Sequence, residues 1–172
     1  CQAAREMGVR HCLGISTDKA CHPANAYGAS KMMMEKVFQE YARSPSDTLF
    51  HLVRYGNVLE SVGSVIETWK KTVEDKKPVK ITDPEMTRFW LSPSQAAEHV
   101  VRSLALPGGR VYIPNEKGLK IGKLFDYTIG YHNAVVERVS LRPGEKVHET
   151  LLTCDELDFA EWYQFSDPPN FV

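Results

Sequence analysis

A tyrosine and a lysine four residues apart could together remove a proton from a hydroxyl group. They are Tyr27 and Lys31, within the stretch STDKACHPANAYGASK of residues 16–31. Residues at positions i and i+4 of a helix lie on the same face, where an ammonium group favours the phenolate form of a tyrosine. The spacing often arises by chance, so its interpretation depends on the residues around it.

Three polar residues precede this pair, at the end of a short apolar run. Thr17 could hydrogen-bond the same substrate hydroxyl, and Asp18 with Lys19 could act as an acid and base couple. The alternative is structural, because an aspartate after a strand often caps a turn and an exposed lysine is usually only solvated. With Tyr27 nearby, we favour the catalytic interpretation.

The elements that would position these residues form a βαβ unit. Residues 10–16 are an apolar run of strand length, residues 27–43 have helical periodicity, and residues 48–58 (TLFHLVRYGNV) are typical of a second buried strand. A crossover of this kind makes the two strands parallel, and ligands of such sheets bind outside the carboxyl ends of the strands. We therefore predict that residues 16–19 and 55–58 face one crevice.

The rest of the chain continues the alternation of strands and helices, which predicts an α/β fold. The pattern indicates, in order, a helix over 63–75, strands at 79–81 and 87–91, a helix opening with a Ser92–Gln95 capping box, a strand at 110–114, a helix near 121–131 and a strand at 134–141.

Composition points to a globular protein with a small ligand. The 172 residues are 42% apolar and 25% charged, and 21 basic against 22 acidic residues give a net charge of −1. No basic cluster suggests nucleic acid or a membrane surface, and no apolar run has the length of a membrane span. The four cysteines form no C-x-x-C pair, and no histidine spacing suggests a metal site. We expect a cytoplasmic protein without a metal.

Four stretches occur in an order that resembles a known family: STDKACHPANAYGASKMMMEK, LVRYGNV, ITDPEMTRFW and RPGEKVHE. They are similar to the carboxyl-terminal half of an extended short-chain dehydrogenase/reductase, in particular the soluble UDP-N-acetylglucosamine 4,6-dehydratases of bacterial glycan synthesis. The resemblance implies the carboxyl-terminal part of a Rossmann-type parallel sheet with a smaller substrate-binding lobe. Residues 1–60 and 92–114 would belong to the Rossmann domain, and residues 61–91 and 115–172 to the lobe.

The resemblance also implies a nicotinamide cofactor, NADP or NAD, with NADP favoured. The family holds it through a Gly-rich turn between a strand and a helix, and no stretch of this chain has that spacing. The chain opens at Cys1 on what reads as the end of a helix, so we expect a carboxyl-terminal part of a longer protein. We expect this part to be inactive alone, and the full-length protein to be a homo-oligomer.

Carried onto this sequence, the family's catalytic roles fall on five residues. Tyr27 would be the base at the sugar 4-hydroxyl, Lys31 would hold the cofactor ribose, and Thr17 would complete the triad. Asp18 and Lys19 would remove the C5 proton and protonate the departing 6-hydroxyl. The implied reaction is a redox-neutral loss of water from a UDP-N-acetylhexosamine, which gives a 4-keto-6-deoxy sugar.

Groups suited to a nucleoside diphosphate lie in the other matching stretches. Arg88 and Arg142 can donate in forked geometry to phosphate, and Glu145 can accept hydrogen bonds from ribose hydroxyls. Surface ion pairs are the alternative interpretation of both arginines. The remaining candidates are Tyr55 for the cofactor and Asn57 and Thr82 for the UDP-sugar substrate.

Three residues depart from the family pattern after RYGNV. Val62 stands where an arginine is expected, Glu67 where a proline is expected, and Glu60 at a position that is ordinarily small. Losing a cation and adding carboxylates should weaken the binding of a dianionic ligand. We therefore expect Val62→Arg to tighten the binding of a UDP-sugar. Two alternatives therefore stay open: a UDP-sugar 4-epimerase or reductase, which needs no acid and base couple at Asp18 and Lys19, and a noncatalytic protein that binds nucleotide sugars.

Overall fold

The computed structural model describes residues 1–61 and 63–163, which group into two compact units. The first unit comprises residues 1–55, residues 96–115 and the described residues from Thr150 onward, and the second comprises residues 56–95 and 116–149. The departure at Val62 lies outside the described residues. No helix of the described ranges is both long enough and apolar enough to cross a membrane.

The elements follow the predicted α/β order. The helices are α1 (Gln2–Glu6), α2 (Ala26–Arg43), α3 (Val65–Glu74), α4 (Pro93–Ser103), α5 (Ile121–Thr128) and α6 (Cys154–Leu157). The strands are β1 (His11–Thr17), β2 (Leu49–Tyr55), β3 (Asn57–Val58), β4 (Val79–Ile81), β5 (Thr87–Leu91), β6 (Val111–Tyr112), β7 (Gly118–Lys120) and β8 (Val136–Arg138).

The first unit is built on a parallel sheet of order β1, β2, β6. Strands β1 and β2 pair along their whole length, from His11 opposite Leu49 to Thr17 opposite Tyr55. The centre of β2 is buried, with Val53 fully inaccessible to solvent, as the apolar pattern requires. The predicted parallel βαβ unit, with α2 as its crossover helix, is confirmed.

The start of α2 lies close to the turn that follows β1. Asn25 caps the helix, because its Oδ1 accepts a hydrogen bond from the Gly28 amide at 2.9 Å. A Cβ placed on Gly28 would lie 2.3 Å from the backbone oxygen of Lys19. Only a glycine therefore lets the helix begin this near the turn.

The second unit has a separate apolar core. Its helices α3 and α5 contribute Ile66, Trp69, Leu124 and Phe125, which are almost fully buried. The rings of Trp69 and Phe125 meet edge to face with centroids 5.1 Å apart, a favourable aromatic geometry. Around this core β5 pairs with β3 in parallel and with β7 antiparallel, while β4 pairs with β8 in parallel.

Some boundaries differ from those indicated by the sequence. Helix α5 ends at Thr128 rather than near 131, because Gly130 takes a φ of 84° and its amide donates to the carbonyl of Phe125. The sequence-based division placed residues 115–172 in the smaller lobe. In the structure the described residues from Thr150 onward group with the first unit instead, where Arg54 holds them through contacts given below.

Candidate active site

The end of β1 gathers three of the predicted catalytic residues into one hydrogen-bonded group. The Thr17 hydroxyl donates to Asp18 Oδ1 at 2.8 Å, and Lys19 Nζ donates to the same oxygen at 2.9 Å. Asp18 is fully buried, and its Oδ2 has no hydrogen-bond partner among the described residues. The Lys19 side chain is 27% exposed, so Lys19 is the member of the pair that a ligand can reach.

Tyr27 and Lys31 lie on the first turns of α2, as the spacing predicts. Lys31 Nζ donates to the carbonyl oxygen of Ile15 in β1 at 2.9 Å. Tyr27 is 54% exposed, and its neighbour Gly28 packs against the Lys19 backbone. Tyr27 is therefore accessible rather than packed into the interior.

Tyr55 ends β2 and Asn57 begins β3, with Gly56 between them. Tyr55 is the register partner of Thr17 in the parallel sheet, so these two candidates meet as the βαβ prediction requires. Asn57 opens β3 in the second unit, where its register partner is Trp90. Asn57 Oδ1 and Trp90 Nε1 are buried without a hydrogen-bond partner among the described residues, which favours an ordered water or a polar ligand group there.

The two arginines predicted to bind phosphate contact other parts of the second unit. Arg88 binds backbone carbonyls, and Arg142 pairs with Glu145. Arg88 is 9% exposed and donates to the carbonyls of Lys146 and Val147 at 2.8 and 3.1 Å. Arg142 is exposed and pairs with Glu145, with Nε 3.3 Å from Oε2. The hydrogen bonds that Arg142 donates to this glutamate raise the pKa of Arg142. Arg88 thus has a structural task that its motif did not reveal.

Three further residues singled out from the sequence lie in the second unit. Thr82 directly follows β4 and is half-buried. Glu67 has a local task in the structure, since its Oε2 accepts from the Gly63 amide at 2.9 Å while its own amide donates to Ser64 Oγ. These contacts close the first turn of α3, which explains an acidic residue at this position. Glu60 is exposed, with a φ of 57°.

A buried polar cluster in the first unit was missed by the sequence-based interpretation. Arg54 forms a double hydrogen bond with Glu35, through Nε at 2.9 Å and Nη2 at 2.6 Å, and a second with Glu156 at 2.8 and 2.9 Å. The Ser16 hydroxyl donates to Glu35 at 2.5 Å. A charged residue in the otherwise apolar strand LFHLVRY was the available signal, because a buried charge requires a partner.

The electrostatics of this cluster favour its charged form. Burial alone would lower the pKa of Arg54, but hydrogen bonds from its guanidinium to Glu156 and Glu35 more than offset this and raise it. For Glu156, burial opposes ionisation, yet hydrogen bonds from Arg54 and Thr153 lower the pKa to about 2. Arg54 and Glu156 are therefore an ion pair at neutral pH.

Lys31 is the donor near β1 that a nicotinamide cofactor would use. An ammonium carries three N–H donors, and one of those of Lys31 reaches Ile15, so the donor set fits ribose hydroxyls beside this strand end. Within residues 1–61 and 63–163, no group of three or more acidic, cysteine or histidine side chains is arranged to hold a metal ion.

By fold and motif this chain is an extended short-chain dehydrogenase/reductase, with Thr17 at the end of β1 and with Tyr27 and Lys31 on the crossover helix α2. A solved structure of a dTDP-glucose 4,6-dehydratase, DesIV from Streptomyces venezuelae, with NAD and TYD bound, has the same fold. It superimposes with a TM-score of 0.78 at 19% identity, covering 96% of this chain and 59% of that one. The chain belongs to the polysaccharide biosynthesis protein family, whose profile matches residues 1–165.

Two relatives show the range of activities among similar proteins. The chain is 36% identical to a UDP-N-acetylglucosamine 4,6-dehydratase (inverting) of Campylobacter jejuni, over 99% of this chain and 53% of that protein. It is 34% identical to a UDP-glucose 4-epimerase of Rickettsia typhi, over 92% of this chain and 48% of that protein. The chain spans about half the length of these relatives.

Proposed function

We propose that this chain carries the catalytic end of a UDP-N-acetylhexosamine 4,6-dehydratase, with UDP-N-acetylglucosamine as substrate. The observation that carries the proposal is the hydrogen-bonded group of Thr17, Asp18 and Lys19 beside the start of α2. Simple oxidation or epimerisation at C4 needs one base, whereas elimination across C5 and C6 also needs an acid and base couple. The Campylobacter jejuni relative, a dehydratase by name, supports this choice.

Tyr27, Lys31 and Tyr55 would bind the cofactor side of the reaction. When bound, NAD or NADP supplies the acceptor for the C4 hydride and returns that hydride to C6. The NAD in the DesIV structure supports this cofactor class. Tyr27 would take the proton of the 4-hydroxyl from its accessible position on α2, while Lys31 is anchored on Ile15 and donates its remaining N–H groups to a ribose.

The elimination would take place at Lys19 and Asp18. The 4-keto group acidifies the C5 proton, which a base removes while an acid protonates the departing 6-hydroxyl as water. Lys19 is the accessible group, and Asp18 lies behind it and accepts from both Lys19 and Thr17. A protonation at C5 then completes a reaction that loses one water and changes no net oxidation state.

The second unit would hold the UDP moiety. Arg142 and Glu145 would exchange their mutual hydrogen bonds for phosphate and ribose, while Arg88 holds the Lys146–Val147 segment next to them. Asn57 Oδ1, which has no hydrogen-bond partner among the described residues, would face the same ligand, as would the half-buried Thr82. These assignments concern groups within the second unit alone.

The test is product analysis with the full-length protein, UDP-N-acetylglucosamine and either cofactor in deuterated water. A dehydratase gives a product lighter by one water, with solvent deuterium at C5. Tyr27→Phe and Lys19→Met should each lower kcat by about 10²- to 10⁴-fold. Tyr41→Phe and Lys36→Met, which both lie on α2, are the matched controls and should leave kcat unchanged. Unaltered kcat in both site variants would contradict the proposal.

A 4-epimerase is the second candidate, favoured by the similarity to the Rickettsia typhi protein. An epimerase would return the C4 epimer without loss of water, and Asp18→Asn with Lys19→Met would leave its rate within a few-fold. UDP-sugar that binds but is recovered unchanged after long incubation would instead indicate a noncatalytic binding protein.

A further inference from the structure

Arg54 uses every N–H of its guanidinium group in the first unit. Nε and one Nη2 hydrogen contact Glu35, one hydrogen on each Nη contacts Glu156, and the last, on Nη1, reaches the carbonyl of Leu151 at 2.8 Å. Five donors thus meet five acceptors. Such a saturated group allows only one arrangement of the segments that supply the acceptors.

Three members of the cluster lie close in the sequence to candidate active-site residues. Ser16, which donates to Glu35, directly precedes Thr17, and Arg54 itself directly precedes Tyr55. Glu35 lies one helical turn beyond Lys31 on α2. The cluster therefore ties together the three segments that carry the candidate catalytic groups of this unit.

The fourth member enters from the surface. Glu156 belongs to α6, and its side chain is 33% exposed, whereas the side chains of Arg54 and Glu35 are only 3% and 4% exposed. Thr153 orients it through a capping box, in which the Thr153 amide donates to Glu156 Oε2 at 2.9 Å. Helix α6 thereby presents a fixed carboxylate to a buried arginine.

Stability alone does not account for such a cluster. Replacing buried ion pairs by well-packed apolar residues is often neutral or stabilising, because desolvation offsets the Coulomb attraction. What a saturated ionic cluster provides is one defined geometry. The cluster binds Ser16 and includes the residue before Tyr55. The ends of β1 and β2 are therefore the part of the structure whose geometry it fixes.

We propose that Glu156 is a positioning residue that acts through Arg54 and Glu35 on the turn at Thr17–Lys19. Helix α6 then belongs to the machinery of the active site without touching substrate. The effect on catalysis rests on the proposed function, whereas the effect on the turn does not.

The test compares Glu156→Gln with Glu161→Gln in the full-length protein. Glu161 lies in the same carboxyl-terminal segment, is exposed, and pairs with Arg110 at the surface, so the two variants make the same chemical change with and without the buried contact. Backbone hydrogen exchange is followed by mass spectrometry in the peptides that contain residues 17–21 and residues 151–157. Steady-state kinetics follow the dehydratase reaction.

We expect Glu156→Gln to raise exchange about tenfold or more in both peptides, because two charge-assisted hydrogen bonds are weakened. We expect kcat to fall by about 10- to 100-fold with KM nearly unchanged, as for a displaced catalytic group. Glu161→Gln should change neither. Faster exchange confined to residues 151–157 would overturn the proposal, whether or not the protein is a dehydratase.

Ser16→Ala is the second variant, for the case that Glu156→Gln loosens the whole unit. It removes the hydroxyl that joins Glu35 to β1 and leaves every charge in place. We expect faster exchange at residues 17–21 with residues 151–157 unchanged. Equal exchange of residues 17–21 in this variant and the parent protein would overturn the proposal.

Discussion

The two units differ in how they accommodate buried charge. In the first unit an arginine and two glutamates meet beneath the ends of β1 and β2, and the Asp18 carboxylate is also fully enclosed. In the second unit the interior is an apolar core around Trp69 and Phe125, while the ion pair of Arg142 lies at the surface. Paired charges lie in the interior of the first unit, whereas the buried Arg88 of the second unit donates to backbone carbonyls.

The difference follows from what each unit has to hold. An apolar core stabilises a unit without demanding one orientation of each contact, since the hydrophobic effect is not directional. Hydrogen bonds to charged groups are directional and depend on distance. In the unit with the proposed proton-transfer groups, such bonds join a buried arginine to two carboxylates. Variants that break either kind of contact can therefore separate the two units.

Glu35→Gln should have the largest effect on stability, about 3–5 kcal/mol, because it leaves a buried arginine with an incomplete partner. The loss should be confined to the first unit. Urea titration with hydrogen exchange read separately for peptides of each unit measures it. A comparable loss in peptides around Trp69, which is buried in the second unit, would contradict independent units.

Gly28→Ala should destabilise the first unit by about 1–3 kcal/mol, since the new Cβ has to displace the Lys19 backbone. In an ordinary helix the same change is favourable, so the sign of the effect tests the close approach. Gly118→Ala is the control in the second unit, where nothing lies within 4 Å of the added carbon. It should stay within about 0.5 kcal/mol. Chemical denaturation measures both.

Acid should weaken the first unit through Glu156. Its folded pKa of about 2 lies below its usual value of 4.5, so its contribution is fully present above pH 4.5 and is lost as the pH falls towards 2. The difference in urea midpoint between the parent protein and Glu156→Gln should therefore shrink across this window. A difference that stays constant from pH 5 to pH 2.5 would exclude the ion pair.

Arg142→Gln should have the smallest effect on stability, about 0–1 kcal/mol, because the Arg142 side chain is exposed to solvent. If Arg142 binds phosphate, the affinity of the Arg142→Gln variant for UDP, measured by calorimetry, should be lower by about tenfold or more. Arg138→Gln, also exposed in the second unit, is the control and should leave both quantities unchanged. Equal UDP affinity in the two variants would remove Arg142 from the ligand site.

Much of the fold could be predicted because its signals are local. The parallel pairing of β1 with β2 followed from two apolar runs joined by a periodic helix, and the Ser92–Gln95 capping box is present with both of its hydrogen bonds. The turn at Gly130 that shortens α5 was not predicted. The candidate roles of the site residues came from motifs, and the structure brings Thr17, Lys19 and Tyr55 to one sheet end.

The contacts that could not be predicted join residues far apart in the chain. Arg88 was expected at phosphate, and its motif gave no sign that its guanidinium donates to the carbonyls of Lys146 and Val147. The carboxyl-terminal segment was expected in the smaller lobe and groups with the first unit, where Glu156 meets Arg54. Periodicity and motif spacing report on neighbours along one element, and they carry no information about a partner a hundred residues away.

The sequence by itself determined the βαβ order, the family and the side chains available for proton transfer, because propensity, periodicity and motif spacing are properties of short segments. The tertiary structure alone decided which of those side chains are enclosed, as Asp18 is, and which remain accessible, as Tyr27 and Lys19 are. It also decided that Arg54 is saturated by Glu35 and Glu156. Burial and long-range ion pairing arise only when distant segments pack together, and they govern how a carboxylate or an ammonium behaves.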